Sequence, residues 1–304
     1  MAGIKCPPYF YMTMNLNQNI IENVRTALAE DVGTGDLTAQ LVPADARAQA
    51  RVISREVAVL CGQAWFTETF KQAAPSATIE WHAAEGDVMQ INQTIVTING
   101  NARELLTAER TALNFLQLLS GTASTVKQYA DALKGTKTKI VDSRKTIPGL
   151  RLAQKYAVTV GGGHNHRLAL YDGILIKENH IATAGGIIPA LAQAQSVKDA
   201  ATDNPFATQA FVMVEVETLA QLTEALSAGA KLILLDNMSH DMIREAVAIN
   251  MTFNGGEADL EVSGNVSLDN VRSYADLGVD RISSGSLTKH VRAVDYSMRM
   301  SKVL

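Results

Sequence analysis

The residues best suited to chemistry are concentrated between Asp142 and His180, in the stretch DSRKTIPGLRLAQKYAVTVGGGHNHRLALYDGILIKENH. It carries Arg144, Lys145, Arg151, Lys155, Arg167 and Lys177 against three acids, in a chain whose formal net charge is −4. It also holds His164, His166 and His180, three of the six histidines. Positive charge this local suits a small polyanionic ligand better than a nucleic-acid surface. Arginine pairs bidentately with carboxylate and phosphate, and Arg144 and Arg167 each stand beside small or turn-forming residues. The pairs Arg144-Lys145 and His166-Arg167 fall at loop-like junctions, where sites tend to be built. Arg151 and Lys155 read equally well as the solvated basic face of a helix.

The elements that would position these residues alternate strictly from Thr138 onward. Strands are expected at Lys139–Asp142, Gly173–Lys177, Phe211–Val216, Leu232–Leu235, Asp259–Val262 and Arg281–Ser283. Helices are expected between them, over Gly149–Val160, Ile187–Asp199, Thr218–Ala228, Asp241–Ile249 and Leu268–Leu277. Alternation of this kind implies parallel strands joined by right-handed crossovers. The short Val, Ile and Leu runs suit strands buried on both faces. An eightfold barrel takes about 250 residues, whereas this half spans roughly 165, so an α/β fold with an incomplete barrel is expected. A doubly wound sheet is the competing architecture.

Each expected strand is followed by polar residues. They are Asp142 to Lys145, Lys177 to His180, Glu215 with Glu217, Asp236-Asn237, Ser263-Gly264-Asn265 and Ser284-Gly285-Ser286. In α/β barrels, ligands bind at the carboxyl ends of the strands, and six polar strand ends in succession point there. The two Ser-Gly pairs could cradle phosphate through backbone N–H groups, or be ordinary turns. Glu215 and Asp236 could bind ribose hydroxyls or help to hold a divalent ion. Lys177, if desolvated beside Arg144 and Arg167, could form a Schiff base.

Before Thr138 the pattern is mixed. A loose arm to about Gln18 precedes a helix at Asn19–Glu30 and a turn through Gly33-Thr-Gly-Asp36, which reads as a loop capping that helix. Strands at Ala46–Ser54, Val57–Cys61, Thr78–His82 and Thr94–Asn99 accompany a helix at Gln63–Ala73. Helices at Ala102–Leu119 and Thr122–Leu133 flank Ser120-Gly121. This is an α+β unit with a mainly antiparallel sheet. Domains are expected at 18–130 and 131–290, with the tail 291–304 packing on the first. Arg110 beside Glu109 reads as a surface charge. Two cysteines, Cys6 and Cys61, are too few for a disulfide framework or a zinc site, and Cys61 reads as a buried hydrophobe. With no apolar run of about 18 residues and no secretory pattern at the start, a soluble, cytoplasmic protein is expected.

Nine motifs, in order and with consistent spacing, carry a resemblance. They are EDVGTGDLT (Glu30–Thr38), ERTALNFLQLLSG (Glu109–Gly121), DSRKTIPGLR (Asp142–Arg151), GGGHNHR (Gly161–Arg167), LIKENH (Leu175–His180), VEVE (Val214–Glu217), LLDN (Leu234–Asn237), EVSGNVSLDN (Glu261–Asn270) and ISSGSLTKH (Ile282–His290). From about residue 20 to its end the chain resembles the quinolinate phosphoribosyltransferases, which are type II phosphoribosyltransferases. The resemblance implies an N-terminal sandwich domain, an incomplete α/β barrel and a homodimer. It implies transfer of phosphoribosyl from 5-phosphoribosyl 1-pyrophosphate to quinolinate with Mg²⁺, giving nicotinate mononucleotide, CO₂ and pyrophosphate.

The family's quinolinate pattern falls on Arg144, His166, Arg167 and Lys177, with Arg110 supplied across the dimer. Its phosphoribosyl pyrophosphate pattern falls on Lys145, Glu215, Asp236, Ser263, Gly264, Asn265, Ser284, Gly285 and Ser286. Arg151, Lys289 and His290 are further candidates. Lys145, Lys177, Glu215 and Asp236 are the implied catalytic groups, and the two acids would meet the metal through pyrophosphate and water. His164 stands where a small residue is expected. Three alternatives remain open: a transferase for the mono-acid nicotinate, a Schiff-base lyase using Lys177, and a noncatalytic phosphosugar-binding protein.

Overall fold

The computed structural model describes residues 9–253 and 255–303. The first helix, α1 (Tyr9–Asp31), begins well before the expected helix, so residues 9–18 are helical rather than a loose arm. No Gly or Pro lies between Pro8 and Gly33, so nothing in that stretch stops the helix from extending. The rest of the expected arm, like Cys6, lies outside the described residues. The turn after α1 caps something other than α1. Asp36 accepts the Ala39 N–H at 3.0 Å and the Thr107 hydroxyl at 2.9 Å, which closes a 3-10 turn at Ala39–Leu41.

There follow β1 (Arg47–Ser54), β2 (Ala58–Val59), α2 (Gln63–Ala73), β3 (Thr78–Trp81), β4 (Val88–Met89), β5 (Thr94–Asn101) and α3 (Ala102–Ala132). The two helices expected around Ser120-Gly121 are one, 31 residues long. Glycine here is a contact residue and not a breaker. A Cβ at Gly121 would overlap the carbonyl oxygen of Arg292, so the main chain before the last strand passes where a side chain would stand.

The remaining elements are β6 (Lys139–Val141), α4 (Arg151–Val160), β7 (Gly173–Ile176), α5 (Glu178–Ala184), α6 (Ile187–Ala200), β8 (Phe211–Val216), α7 (Leu219–Ser227), β9 (Leu232–Asp236), α8 (His240–Thr252), β10 (Asp259–Ser263), α9 (Val271–Ala275), β11 (Arg281–Ser283), α10 (Ser286–Lys289) and β12 (Tyr296–Val303).

The chain forms two compact units. One comprises Tyr9–Lys127, Thr146–Gly162 and the chain from Leu287 on; the other comprises Gln128–Lys145 and Gly163–Ser286. In the first, an antiparallel sheet runs in the order β12-β1-β5-β3. Alternate residues of β1 (Ala48, Ala50, Val52, Ser54) are buried, and the sheet packs with Phe66, Leu105 and Leu113 from α2 and α3. Helix α4 belongs to this unit. Ala153 and Ala157 share a core cluster with Val24 and Trp65, and the Trp65 and Tyr156 rings lie 5.5 Å apart. Lys155 is 1 % exposed, so it lies on no solvated face. Cys61 is buried, as a small hydrophobe should be.

The second unit is a six-stranded parallel sheet in the order β6-β11-β10-β9-β8-β7. From β7 to β11 the strands follow one another without reversal, and the earliest, β6, lies beside the last. A doubly wound sheet reverses direction partway through its strand order, so this is the progression of a barrel that stops short of eight strands. His164 adds a single parallel bridge to Val141, which explains its place in the chain. Its backbone exchanges hydrogen bonds with Ile140 and Asp142, while its ring is exposed.

Among the described residues no helix is long and apolar enough to cross a membrane.

Candidate active site

The site follows from strand register. Glu215 of β8 pairs with Leu234 of β9, which pairs with Glu261 of β10, which pairs with Arg281 of β11. Two residues further on, Asp236 pairs with Ser263, while Ser283 pairs with Val141. Side chains alternate across a strand, so positions two apart share a face. Glu215, Leu234, Glu261, Ser263 and Ser283 therefore line one cavity of about 350 Å³ at the carboxyl ends of the strands. That volume is within the range of small-molecule sites.

The cavity's cations come from the connections around this floor. Asp142, Ser143, Arg144 and Lys145 leave β6, His166 and Arg167 precede β7, and Lys177 follows it. Asp142 is fully buried, and its Oδ1 accepts the His166 N–H at 2.7 Å, tying the His166-Arg167 segment to the end of β6. Asp172, also buried, accepts the N–H groups of Leu168 and Ala169 and fixes the following turn. These two aspartates therefore build the scaffold.

Arg167 donates from Nη1 to the Gly173 carbonyl at 2.9 Å. Burial, and then the charge of Arg144, push its guanidinium pKa down from the ordinary arginine value. Arginine stays cationic in proteins, so two guanidinium groups near enough to repel make a half-buried field that an anion relieves. Across the cavity, Lys177 Nζ meets Glu215 Oε2 at 2.6 Å, with Glu215 only 9 % exposed. That contact engages the lysine as an ammonium donor and removes the basis for the Schiff-base alternative. Borohydride treatment in the presence of substrate should leave activity intact, and trapping of an adduct on Lys177 would contradict this.

Of the residues expected in the site, Arg144, Lys145, His166, Arg167, Lys177, Glu215 and Ser263 line the cavity. Asp236, Gly264, Asn265, Ser284, Gly285 and Ser286 stand at the same strand ends outside the lining. Asp236 accepts from Asn237 Nδ2 at 2.8 Å. Asn237, Gly264 and Asn265 all have positive φ (52°, 98° and 48°), and a Cβ on Gly264 would overlap the Asn237 side chain. Two non-glycine residues in this region mark a loop held against its own preference, as ligand-binding turns often are. A Cβ on Gly285 would come within 2.8 Å of Lys145 Cδ, so the Ser284-Gly285-Ser286 turn runs beside that lysine. Glu217 is exposed.

Arg110, Arg151, Lys289 and His290 belong to the other compact unit. Arg110 is exposed on α3, beside Glu109, whose carboxyl is pushed up by burial and held back by Arg110. Arg151 opens α4 and donates to Thr146 Oγ1 at 3.2 Å, while Lys289 and His290 are exposed at the end of α10. Two lining residues, Glu261 and Ser283, were not among the expected site residues. The signal for Glu261 was an acid at the centre of an apolar strand, two positions before Ser263.

The quinolinate phosphoribosyl transferase N-terminal domain model matches residues 36–120, and the C-terminal domain model matches residues 122–299. This chain belongs to the quinolinate phosphoribosyltransferase family. A probable nicotinate-nucleotide pyrophosphorylase (carboxylating) of Bacillus subtilis is 36 % identical over 88 % of this chain and 89 % of its own length. A mitochondrial quinolinate phosphoribosyltransferase (decarboxylating) of Nicotiana tabacum is 37 % identical over 92 % of this chain and 82 % of its own. The solved nicotinate-nucleotide pyrophosphorylase of Francisella tularensis is 42 % identical, with a TM-score of 0.87 over 99 % of this chain and 100 % of that one. The family explains both compact units, since its two domain models together cover nearly all of the described chain.

Proposed function

We propose that this chain is a quinolinate phosphoribosyltransferase that forms nicotinate mononucleotide, CO₂ and pyrophosphate from quinolinate and phosphoribosyl pyrophosphate. The observation that carries the reading is the juxtaposed Arg144 and Arg167 in one half-buried cavity. Quinolinate holds two carboxylates on adjacent ring carbons, and only a site with several cations offsets their mutual repulsion. Arg144, Arg167 and Lys177 bind the diacid, with His166 shaping the wall beside it. Lys145 and the turns at Ser263-Gly264-Asn265 and Ser284-Gly285-Ser286 take the phosphates. Glu215 orients the ribose and holds Lys177 in place.

With both substrates seated, the pyridine nitrogen attacks the anomeric carbon and the carbon–pyrophosphate bond breaks. Lys145 stabilises the leaving charge, and no protein nucleophile is required. The ring nitrogen becomes cationic. When the carboxylate at C2 leaves as CO₂, the bonding pair stays on the ring carbon beside that cation until a proton replaces it.

No group of three or more His, Cys, Asp or Glu able to hold a metal exists among the described residues. Two carboxylates, Glu215 and Asp236, suit Mg²⁺ taken up largely through substrate phosphates and water, which is its usual mode. When bound, the ion supplies positive charge to the pyrophosphate.

The test is product identity: quinolinate and phosphoribosyl pyrophosphate with Mg²⁺ should yield nicotinate mononucleotide and CO₂. A product formed from nicotinate alone, or ligand binding without turnover, would contradict the reading. A homodimer with Arg110 reaching the partner's site belongs to the same proposal. Mixing Arg110→Ala with Arg144→Ala subunits should then restore about a quarter of wild-type activity, because half the dimers regain one of two sites. No recovery would place Arg110 in its own subunit's site or outside the reaction. A cytoplasmic location completes the proposal, and cell fractionation checks it.

A further inference from the structure

Strands of a parallel sheet buried on both faces are normally apolar runs. β10 departs from that rule at its centre, where Glu261 is 0 % exposed and lines the cavity floor. Its Oε2 accepts from Arg281 Nε at 2.8 Å, so its charge is offset from the neighbouring strand and does not repel an anionic substrate. Its Oε1 has no hydrogen-bond partner and lies 3.8 Å from His166 Nε2. A buried carboxylate oxygen left in that state calls for a functional reason.

The reason lies in the imidazole. His166 Nδ1 accepts the Arg167 backbone N–H at 2.8 Å, so Nδ1 carries the lone pair and the ring proton belongs on Nε2. That N–H faces Glu261 Oε1. The ring stands edge-on to Phe211, with centroids 5.1 Å apart and planes at 86°. The main-chain N–H of His166 is held by Asp142. Burial pushes the Glu261 carboxyl pKa up, and Arg281 opposes that.

We propose that Glu261 is a positioning residue, which fixes the tautomer and orientation of His166 and, through the Nδ1 bond to the Arg167 backbone, aims Arg167 at the diacid. The inference rests on the transferase reading for its kinetic effect, but its structural half can be tested alone. Glutamine at position 261 satisfies Arg281 or His166 but not both, so Glu261→Gln should loosen the imidazole while keeping the volume.

The expected result is a rise of about tenfold in KM for quinolinate, with KM for phosphoribosyl pyrophosphate unchanged, the size of one hydrogen bond lost in a cavity. In a His166→Ala background the same substitution should have no further effect on that KM. Equal effects in both backgrounds, or a lowered Tm with KM unchanged, would overturn the proposal by making Glu261 a structural residue only. Should Glu261→Gln fail to fold, imidazole ¹⁵N shifts of His166 in the unmodified protein decide instead. The Nε2–H form is expected, and the Nδ1–H form overturns the proposal. Loss of the transferase reading would show as no wild-type turnover of quinolinate, an outcome that leaves the ¹⁵N measurement to decide.

Discussion

Arg144→Ala and Arg167→Ala each lose at least ~10³-fold in kcat/KM, about 4 kcal/mol of transition-state stabilisation, while Tm hardly moves. The two effects separate because the arginines oppose each other in the empty cavity. Each raises the electrostatic cost of the other, as the lowered pKa of Arg167 records, and the diacid removes that cost. Deleting one relieves repulsion in the folded state. Against this stands only the loss of a hydrogen bond from Arg167 to Gly173, about 1 kcal/mol, which shifts Tm by about 2–4 °C in a domain of this size. Steady-state kinetics and a melting curve on the same preparations check the pair of expectations. A large fall in Tm with activity retained would make these residues part of a core.

Gly121→Ala should destabilise the protein by about 2–3 kcal/mol, the opposite of the usual result in a helix. Replacing glycine by alanine inside a helix ordinarily gains about 1 kcal/mol. Here the added methyl would overlap the Arg292 carbonyl oxygen and crowd the Val291 side chain, so main chain must move to make room. Overpacking against a rigid neighbour costs on that scale. The segment displaced leads into β12, which pairs with β1 from Ser54↔Tyr296 to Ala48↔Val303, so the damage should reach the sheet edge. Denaturant unfolding of the wild type and the variant measures it. An unchanged or increased midpoint would contradict the close approach.

Much of the catalytic unit was legible because its signals are local. The β7 to β11 strands are short Val, Ile and Leu runs, and the capping of α7 by Thr218 and of α8 by Ser239 uses side chains whose preference is known. Lys177 and Glu215 fall at consecutive strand ends, so their meeting at 2.6 Å follows once the strands are parallel and adjacent. What failed were residues whose meaning depends on a distant neighbour. Gly121 resembles a break until the Arg292 main chain is placed against it. Tyr296, Met298 and Met300 alternate with polar residues as an edge strand does, and a register shift between Gln49 and Ala50 of the partner interrupts the pattern. Lys155 carries a charge that periodicity assigns to solvent, but α4 is enclosed by Val24 and Trp65. Glu261 was missed for the same reason, since only the adjacent strand reveals Arg281 as its counter-charge.

Discrimination between a diacid and a mono-acid is the most direct probe of the paired guanidinium groups. The ratio of kcat/KM for quinolinate to that for nicotinate, measured with saturating phosphoribosyl pyrophosphate, should exceed ~10³ in the wild type, since a site built for two carboxylates leaves cations unpaired when one is missing. Comparable values for the two acids would show that Arg144 and Arg167 serve some other ligand.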